Sequence, residues 1–310
     1  MAKISNEHKL KEEDMSKRVR LAVSLSLGLM GLMGLMLGPA IAQDKEVVIG
    51  LQCDRTGATQ IVGTTICPAY HDYVALVNSK GGVEGYKIKV IEIDHEYKVP
   101  PAMEAHERFK KDGAVLEGVY GTPHIAALNK KLEEDKILGT SPGFGTAAAA
   151  DGKKYPYTFP IAASYWSQGA AAVKFAKDKL GGSLKDKKIA YLYFDNPAGK
   201  EPPKEMDSTV YYNRGVLIAA THVEALRNAI KAKGGAMPTS EDVKKGMESI
   251  KGVTLGGLMP PLEITPTDHE GGGWCQIWTV KGGKLVMVKD WFQGFRPVIT
   301  KQIAADASKS

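Results

Sequence analysis

The sequence predicts an α/β chain built around a parallel, doubly wound sheet. Short apolar runs alternate with helix-patterned stretches from residue 46 to about residue 138, and 34 glycines and 16 prolines supply turns between them. The length, 310 residues, is enough for about two domains with a sizeable core. Charged residues make up 25%, apolar ones 43% and aromatics 7%, the composition of an ordinary globular protein rather than of a disordered, collagen-like or disulfide-dense chain.

Val47-Val48-Ile49-Gly50-Leu51 is a short apolar run ending at a Thr56-Gly57-Ala58 turn, and it reads as the first strand. Residues 68–79 read as a helix with Tyr70, Tyr73, Val74 and Val77 on one side, and residues 88–93 alternate apolar with polar as a strand does. A polar helix over 102–111, a strand over 114–120, a helix over 125–134 and a strand at Lys136-Ile137-Leu138 continue the repetition. Such repetition argues for parallel strands joined by right-handed crossovers.

A second unit begins near residue 160. Residues 164–180 form an apolar-faced helix closed by Gly181-Gly182, and residues 188–194 a strand ending at Asp195-Asn196-Pro197. Helices over 208–233 and 241–250 follow, and residues 275–280 and 285–291 form a hairpin around Gly282-Gly283. One strand ahead of two consecutive helices is too little for an independent sheet, so this unit reads as short. The expected division is 1–42, 43–160, 161–250 and 251–310.

Lys17, Arg18 and Arg20 precede an apolar stretch over 21–37, followed by Gly38, Pro39 and Ala40-Ile41-Ala42. A basic region, an apolar segment and a small-residue site are the parts of a secretory signal peptide, with cleavage expected after Ala42. The polar leader of 14 residues is long, and Met15 is an alternative start. A membrane anchor is the competing reading, but the stretch is at the short end of the roughly 17–25 residues a span needs and is broken by Gly38-Pro39. Export to the periplasm follows. Without residues 1–42 the formal charge falls from +6 to +4, with 35 basic against 31 acidic residues, an excess too mild to predict nucleic-acid binding.

In an oxidising compartment the three cysteines read as structural. Cys53 and Cys67 lie 14 positions apart around a Gly/Thr-rich segment, where a bridge would contribute about 3 kcal/mol on the chain-entropy model. Two buried thiols are the alternative, and Cys275 reads as one such thiol on a strand face.

Several motifs offer chemistry. Gly139-Thr140-Ser141-Pro142-Gly143 fits G-x-S-x-G, with Asp268-His269, or Asp207 with His222, as partners. The nucleophile elbow needs the N–H of the residue after serine, and Pro142 has none. Gly143-Phe144-Gly145-Thr146-Ala147-Ala148 mimics a dinucleotide fingerprint away from the first strand–helix turn, so no cofactor is expected. His71, His95, His106, His124, His222 and His269 show no metal-ligand spacing, and His8 lies in the leader. Glu104, Glu107, Lys110 and Lys111, like the basic stretches at 185–188 and 227–233, read as solvated surface. The first of these helices could instead meet a membrane partner.

Val48-Ile49-Gly50 with Thr56-Gly57, Asn78-Ser79-Lys80-Gly81-Gly82-Val83-Glu84-Gly85-Tyr86-Lys87-Ile88, Tyr120-Gly121-Thr122, Gly139-Thr140-Ser141-Pro142 and Tyr191-Leu192-Tyr193-Phe194-Asp195 occur in an order that resembles the leucine/isoleucine/valine-binding family of periplasmic solute-binding proteins. Thr265-Pro266-Thr267-Asp268-His269 with the final helix and hairpin resembles that family's C-terminal region. The resemblance covers about 46–200 and 205–295. It implies two Rossmann-like lobes of the type I periplasmic binding protein fold, closing on a small ligand and delivering it to an ATP-driven permease, with a monomer as the expected state.

Ligands of open α/β sheets sit beyond the carboxyl ends of the strands, where helix N-termini offer N–H groups to anions. Thr56, Thr122, Thr140 and Ser141, with Gly121, follow expected strands, so their hydroxyls and amides are candidates for a ligand carboxylate; as helix caps or turn residues they would serve structure alone. Tyr165 opens a helix where the family places a ligand-contacting side chain, with core packing as the alternative, and Asp195 ends the strand of the second lobe. Trp166 reads as packing. The expected ligand is a small carboxylate such as a branched-chain or other hydrophobic amino acid, with an aromatic acid or an amide as the alternative ligand and a periplasmic sensor module as the alternative role. The chain departs from the family between Gly199-Lys200-Glu201-Pro202 and Pro203-Lys204-Glu205-Met206, where roughly a hundred residues of further strand–helix units, comparable to a small domain, do not occur. The missing part supplies most of the second lobe's sheet and the acidic group that pairs with a ligand ammonium, so the second lobe is expected to be incomplete.

Overall fold

A computed structural model of the chain describes residues 45–143, 145, 147–188 and 208–308. Contacts separate Met1–Asp44 from Lys45–Ser310, and the described residues belong to the second unit. The leader with its cleavage site, residues 189–194 of the strand expected at 188–194, and Asp195 lie outside the described residues.

Five parallel strands, β1 (Lys45–Cys53), β2 (Tyr86–Asp94), β3 (Leu116–Gly118), β4 (Leu138–Ser141) and β5 (Thr158–Pro160), are ordered β2-β1-β3-β4-β5. Helix α1 (Gln60–Ser79) joins β1 to β2, α2 (Val99–Lys111) joins β2 to β3, and α3 (Thr122–Asp135) joins β3 to β4. The first crossover runs opposite to the next two, so right-handed connections place α1 on one face and α2 and α3 on the other. Strand β1 is buried on both faces. Val47, Ile49 and Leu51 pack with Ile66, Tyr70 and Val74 of α1. On the opposite face, Gly50 makes room for Phe109 of α2, whose ring lies 2.4 Å from where a Cβ at Gly50 would stand.

Two later helices complete the α1 face. Helix α5 (Ser208–Ala232) packs along α1, and α6 (Ser240–Glu248), opened by a capping box of Thr239 and Asp242, packs on α5 and β4. Ile218, Val223, Leu226 and Ile230 of α5 enter the main core, each such burial being worth about 1.5–3 kcal/mol relative to exposure. The close approach occurs at Gly215, where a Cβ would stand 2.2 Å from the carbonyl oxygen of Ile66.

The rest consists of helix α4 (Tyr165–Lys179), the antiparallel pairs β6 (Lys251–Val253) with β7 (Leu262–Glu263) and β8 (Cys275–Lys281) with β9 (Lys284–Phe292), and helix α7 (Arg296–Ala307). Helix α4 packs against β8 and α7. Among the described residues no second parallel sheet occurs, and the β8–β9 hairpin leaves Trp278 47% and Val280 69% exposed.

Besides β6, β7 and α7, which were not expected, three elements at the parallel sheet differ from expectation. Helix α1 begins at Gln60, eight residues before the start expected at residue 68, because Pro68 sits inside it; the carbonyl that Pro68 cannot serve belongs to Thr64, on the solvent side. Half of the Cys53–Cys67 segment is therefore helical. Strand β4 runs on to Ser141, so Thr140 and Ser141 belong to the strand itself rather than to the loop after it. Strand β5, three residues ending in Pro160, was not expected at all; it pairs only with β4, at the sheet edge where proline is tolerated.

Candidate ligand-binding site

The strand order reverses at β1, which places the switch point of the sheet between the carboxyl ends of β1 and β3. Cys53 ends β1 and is bonded to Cys67 of α1. Asp54, fully buried, turns the chain there: Oδ1 accepts from Gly57 N–H at 2.6 Å, and Oδ2 accepts from Thr59 N–H and its hydroxyl at 2.7 Å. A small pocket at this end is lined by Leu51, Tyr70, Gly118, Tyr120, Thr140 and Ile218, among others.

After β3, Gly121 adopts φ 99° and caps the start of α3. A side chain there would be strained, and its Cβ would meet Nδ1 of His124 at 2.5 Å. Thr122 is the first residue of α3 and is 3% exposed; its hydroxyl has no hydrogen-bond partner among the described residues. Ser141, at the adjacent end of β4, is 1% exposed and likewise has a hydroxyl without a partner. Gly145 lies over both elements: its Cβ position is 3.3 Å from Ser141 Oγ and 2.8 Å from Cγ2 of Ile125 on the first turn of α3. Two buried hydroxyls without partners among the described residues stand beside the N-terminus of α3, where Pro123 has no N–H and Ile125 already donates to Gly121, so the Thr122 and His124 amides complete a set of donors suited to an anion.

The other candidates have different placements. The Thr56 hydroxyl donates to Asp94 Oδ2 at 2.8 Å and is exposed, so Asp94 takes it up. The Thr140 hydroxyl lies 2.7 Å from Nε2 of His222, inside the core. Tyr165 is 1% exposed and packs in the main core, which favours its packing role, and Trp166 packs on Ala147, Ala150 and Ile303. The serine-hydrolase constellation is not assembled: His222 serves Thr140 and Tyr70, and His269 Nδ1 donates to the carbonyl of Thr158 at 2.8 Å.

Several neighbours carry no local sequence signal. His95 Nδ1 accepts from Tyr97 N–H, so its Nε2 proton goes to the Tyr120 carbonyl at 3.0 Å. Its ring stacks on His124 at 4.1 Å, and both histidines are fully buried. Burial, and then the adjacent His95, lower the His124 pKa to about 4, while burial raises that of Tyr97 to about 12. Arg214 of α5 donates from Nη1 to the carbonyl oxygen of Pro142 at 3.1 Å, reaching the tip of β4 from 72 positions along the chain. Burial lowers its pKa, against the effect of Tyr165, Tyr211 and Cys275 nearby.

Residues 46–210 match the family model described as periplasmic binding protein. No curated protein matches the sequence. Among solved structures, one described as an ABC transporter permease from the Pseudomonas fluorescens group is 23% identical, with TM-score 0.73 over 86% of this chain and 98% of that one. A branched-chain amino acid ABC transporter protein from Thermus thermophilus with bound valine is 15% identical, with TM-score 0.62 over 84% of this chain and 99% of that one. A fatty acid ABC transporter substrate-binding protein from Thermomonospora curvata is 18% identical, with TM-score 0.63 over 85% of this chain and 95% of that one. At these identities the likeness is one of fold.

Proposed function

Because the chain belongs to the periplasmic binding protein family and carries its type I fold, we propose that it is the solute-binding component of an ABC transporter, exported to the periplasm, and that it takes up a small carboxylate for a membrane permease. The observation that carries this reading is the pair of buried, unpartnered hydroxyls of Thr122 and Ser141 at the neighbouring ends of β3 and β4. The carboxylate accepts from these hydroxyls and from the Thr122 and His124 N–H groups at the start of α3, an arrangement that needs no metal. Gly121 supports it by letting the chain turn sharply into α3, and Gly145 by leaving the hydroxyl of Ser141 uncovered by a side chain. The neighbouring structures, which carry ligands as different as valine and fatty acids in their descriptions, support the class of function and leave the ligand to the site itself. No helix among the described residues is long and apolar enough to cross a membrane.

A thermal-shift and calorimetric screen of the purified chain against hydrophobic amino acids, benzoate-like acids and short amides tests the reading. A ligand at 100 times its dissociation constant adds about 2.7 kcal/mol of stability. Thr122→Val with Ser141→Ala should abolish the shift and leave the unliganded chain as stable as before or more so, because each replacement removes an unsatisfied buried hydroxyl. Flat curves across the whole panel would refute it.

A further inference from the structure

We propose that Tyr97 forms an aromatic platform beside the anion donors of α3 and that the site therefore selects a carboxylate with an aromatic body over a saturated one of the same size. The inference deepens the carboxylate-binding reading and rests on it.

Glu96 and Tyr97 follow β2 at the carboxyl end of the sheet with φ 53° and 58°. Left-handed backbone is costly for a residue with a bulky side chain, and among the described residues no other two successive non-glycine residues share it. Hydrogen bonds hold the turn. Asp94 Oδ1 accepts from Glu96 N–H at 2.9 Å, His95 Nδ1 accepts from Tyr97 N–H at 3.0 Å, and the His95 carbonyl accepts from Lys98 N–H at 2.8 Å. The turn brings the Tyr97 ring against the start of α3. Cε2 of Tyr97 lies 2.9 Å from where a Cβ at Gly121 would stand, so a side chain at 121 would crowd the ring, and the next residue is Thr122, whose amide and hydroxyl belong to the anion site.

The neighbours of Tyr97 fix its ring and leave part of it open. His124, Tyr120 and His95 meet it at 83°, 81° and 61°, with centroids 5.0, 6.4 and 6.5 Å away, and none of the three stacks on it. Those three side chains are buried, whereas Tyr97 keeps surface accessible to solvent. Core packing alone asks for neither the strained turn nor the accessible ring. A ligand held by its carboxylate at Thr122 and Ser141 gains an offset or edge contact with this ring when its body is aromatic, a contact that a saturated body of equal bulk does not make.

The test titrates the purified chain at neutral pH by calorimetry with two matched pairs, benzoate against cyclohexanecarboxylate and phenylacetate against cyclohexylacetate. The saturated acid of each pair is the more apolar, so desolvation alone predicts the reverse order. The expected result is that the aromatic acid binds about threefold to tenfold tighter. Tyr97→Phe should keep this preference and Tyr97→Leu should lose it, with far-ultraviolet spectra and melting temperatures showing both variants folded. Tyr97→Asn, which suits left-handed backbone better, is the second variant without a ring should Tyr97→Leu not fold. Equal binding within each pair, or tighter binding of the saturated acids, overturns the inference and leaves the carboxylate-binding reading standing. A preference that persists without the ring overturns the role of Tyr97, and so does one that Tyr97→Phe abolishes. Absence of binding by all four acids overturns the inference, and the reading beneath it falls only if hydrophobic amino acids and short amides fail to bind as well.

Discussion

His222 of α5 and Thr140 of β4 meet 2.7 Å apart in the interior, and the opposite nitrogen of the same ring lies 2.8 Å from the hydroxyl of Tyr70 on α1. One arrangement satisfies all three groups. Tyr70 donates to Nδ1, the Nε2 proton goes to Thr140, and Thr140 turns its own hydrogen towards the carbonyl of Glu117. The imidazole thereby ties α5 to both the sheet and α1.

Acid should loosen this tie. Burial lowers the pKa of His222 to about 3 from its ordinary 6.5. The unfolded chain takes up the proton first, so stability is lost as pH falls from about 6.5 towards 3. Denaturant titrations at pH 7 and pH 4.5 check this. His222→Gln should be less stable at pH 7 but lose less on acidification, and Thr140→Val, which strands Nε2, should cost about 1–3 kcal/mol at neutral pH.

A second histidine predicts the opposite slope. His106 Nδ1 lies 2.6 Å from Glu117 and Nε2 3.0 Å from Asp135, which also receives Lys110 and Lys131. Burial works against the imidazolium, but hydrogen bonds to Glu117 and Asp135 raise its pKa above 6.5. The contribution is complete below the unfolded pKa and disappears as pH rises through the folded one. His106→Leu should therefore cost most in mildly acidic buffer, about 3 kcal/mol or more because it leaves Glu117 buried without its partner, and the deficit should shrink towards pH 9.

Reduction of Cys53–Cys67 should lower the unfolding free energy by about 3 kcal/mol, as expected for a closed loop of this length. Melting curves with and without reductant, compared with the Cys53→Ala, Cys67→Ala double variant, measure it. Equal curves would mean the bridge contributes nothing.

Gly215→Ala should destabilise the protein by about 1–3 kcal/mol through overpacking, since the added methyl meets the Ile66 carbonyl, a backbone group that cannot rotate aside. Circular dichroism melts would show it. The same replacement at Gly234, beyond the end of α5 where no atom lies within 4 Å of the new Cβ, isolates backbone strain at φ 65° from crowding.

The strand–helix order of the first lobe was legible in the sequence because a central strand such as β1 must be apolar on both faces and its flanking helices must bury one side. The start of α1 was not, since Gly63, Thr64, Thr65 and Pro68 all disfavour a helix that tertiary packing nevertheless imposes. Strand β5 was too short to show a period. At the site, Thr122 and Ser141 could be picked out as hydroxyls near strand ends, but whether a hydroxyl is engaged depends on distant partners. Asp94 claims Thr56 from 38 positions away and His222 claims Thr140 from 82. Arg214 was invisible for the same reason: nothing near it in sequence says where the end of α5 lands.

The packing of α5 on α1 also sets an order of events during synthesis. All five strands of the parallel sheet leave the ribosome before α5 and α6, so the nascent polypeptide carries one bare oily side until its late helices arrive. Contacts this far apart in sequence form slowly. A fragment stopped before residue 208 would be a client for chaperones rather than half of a finished protein.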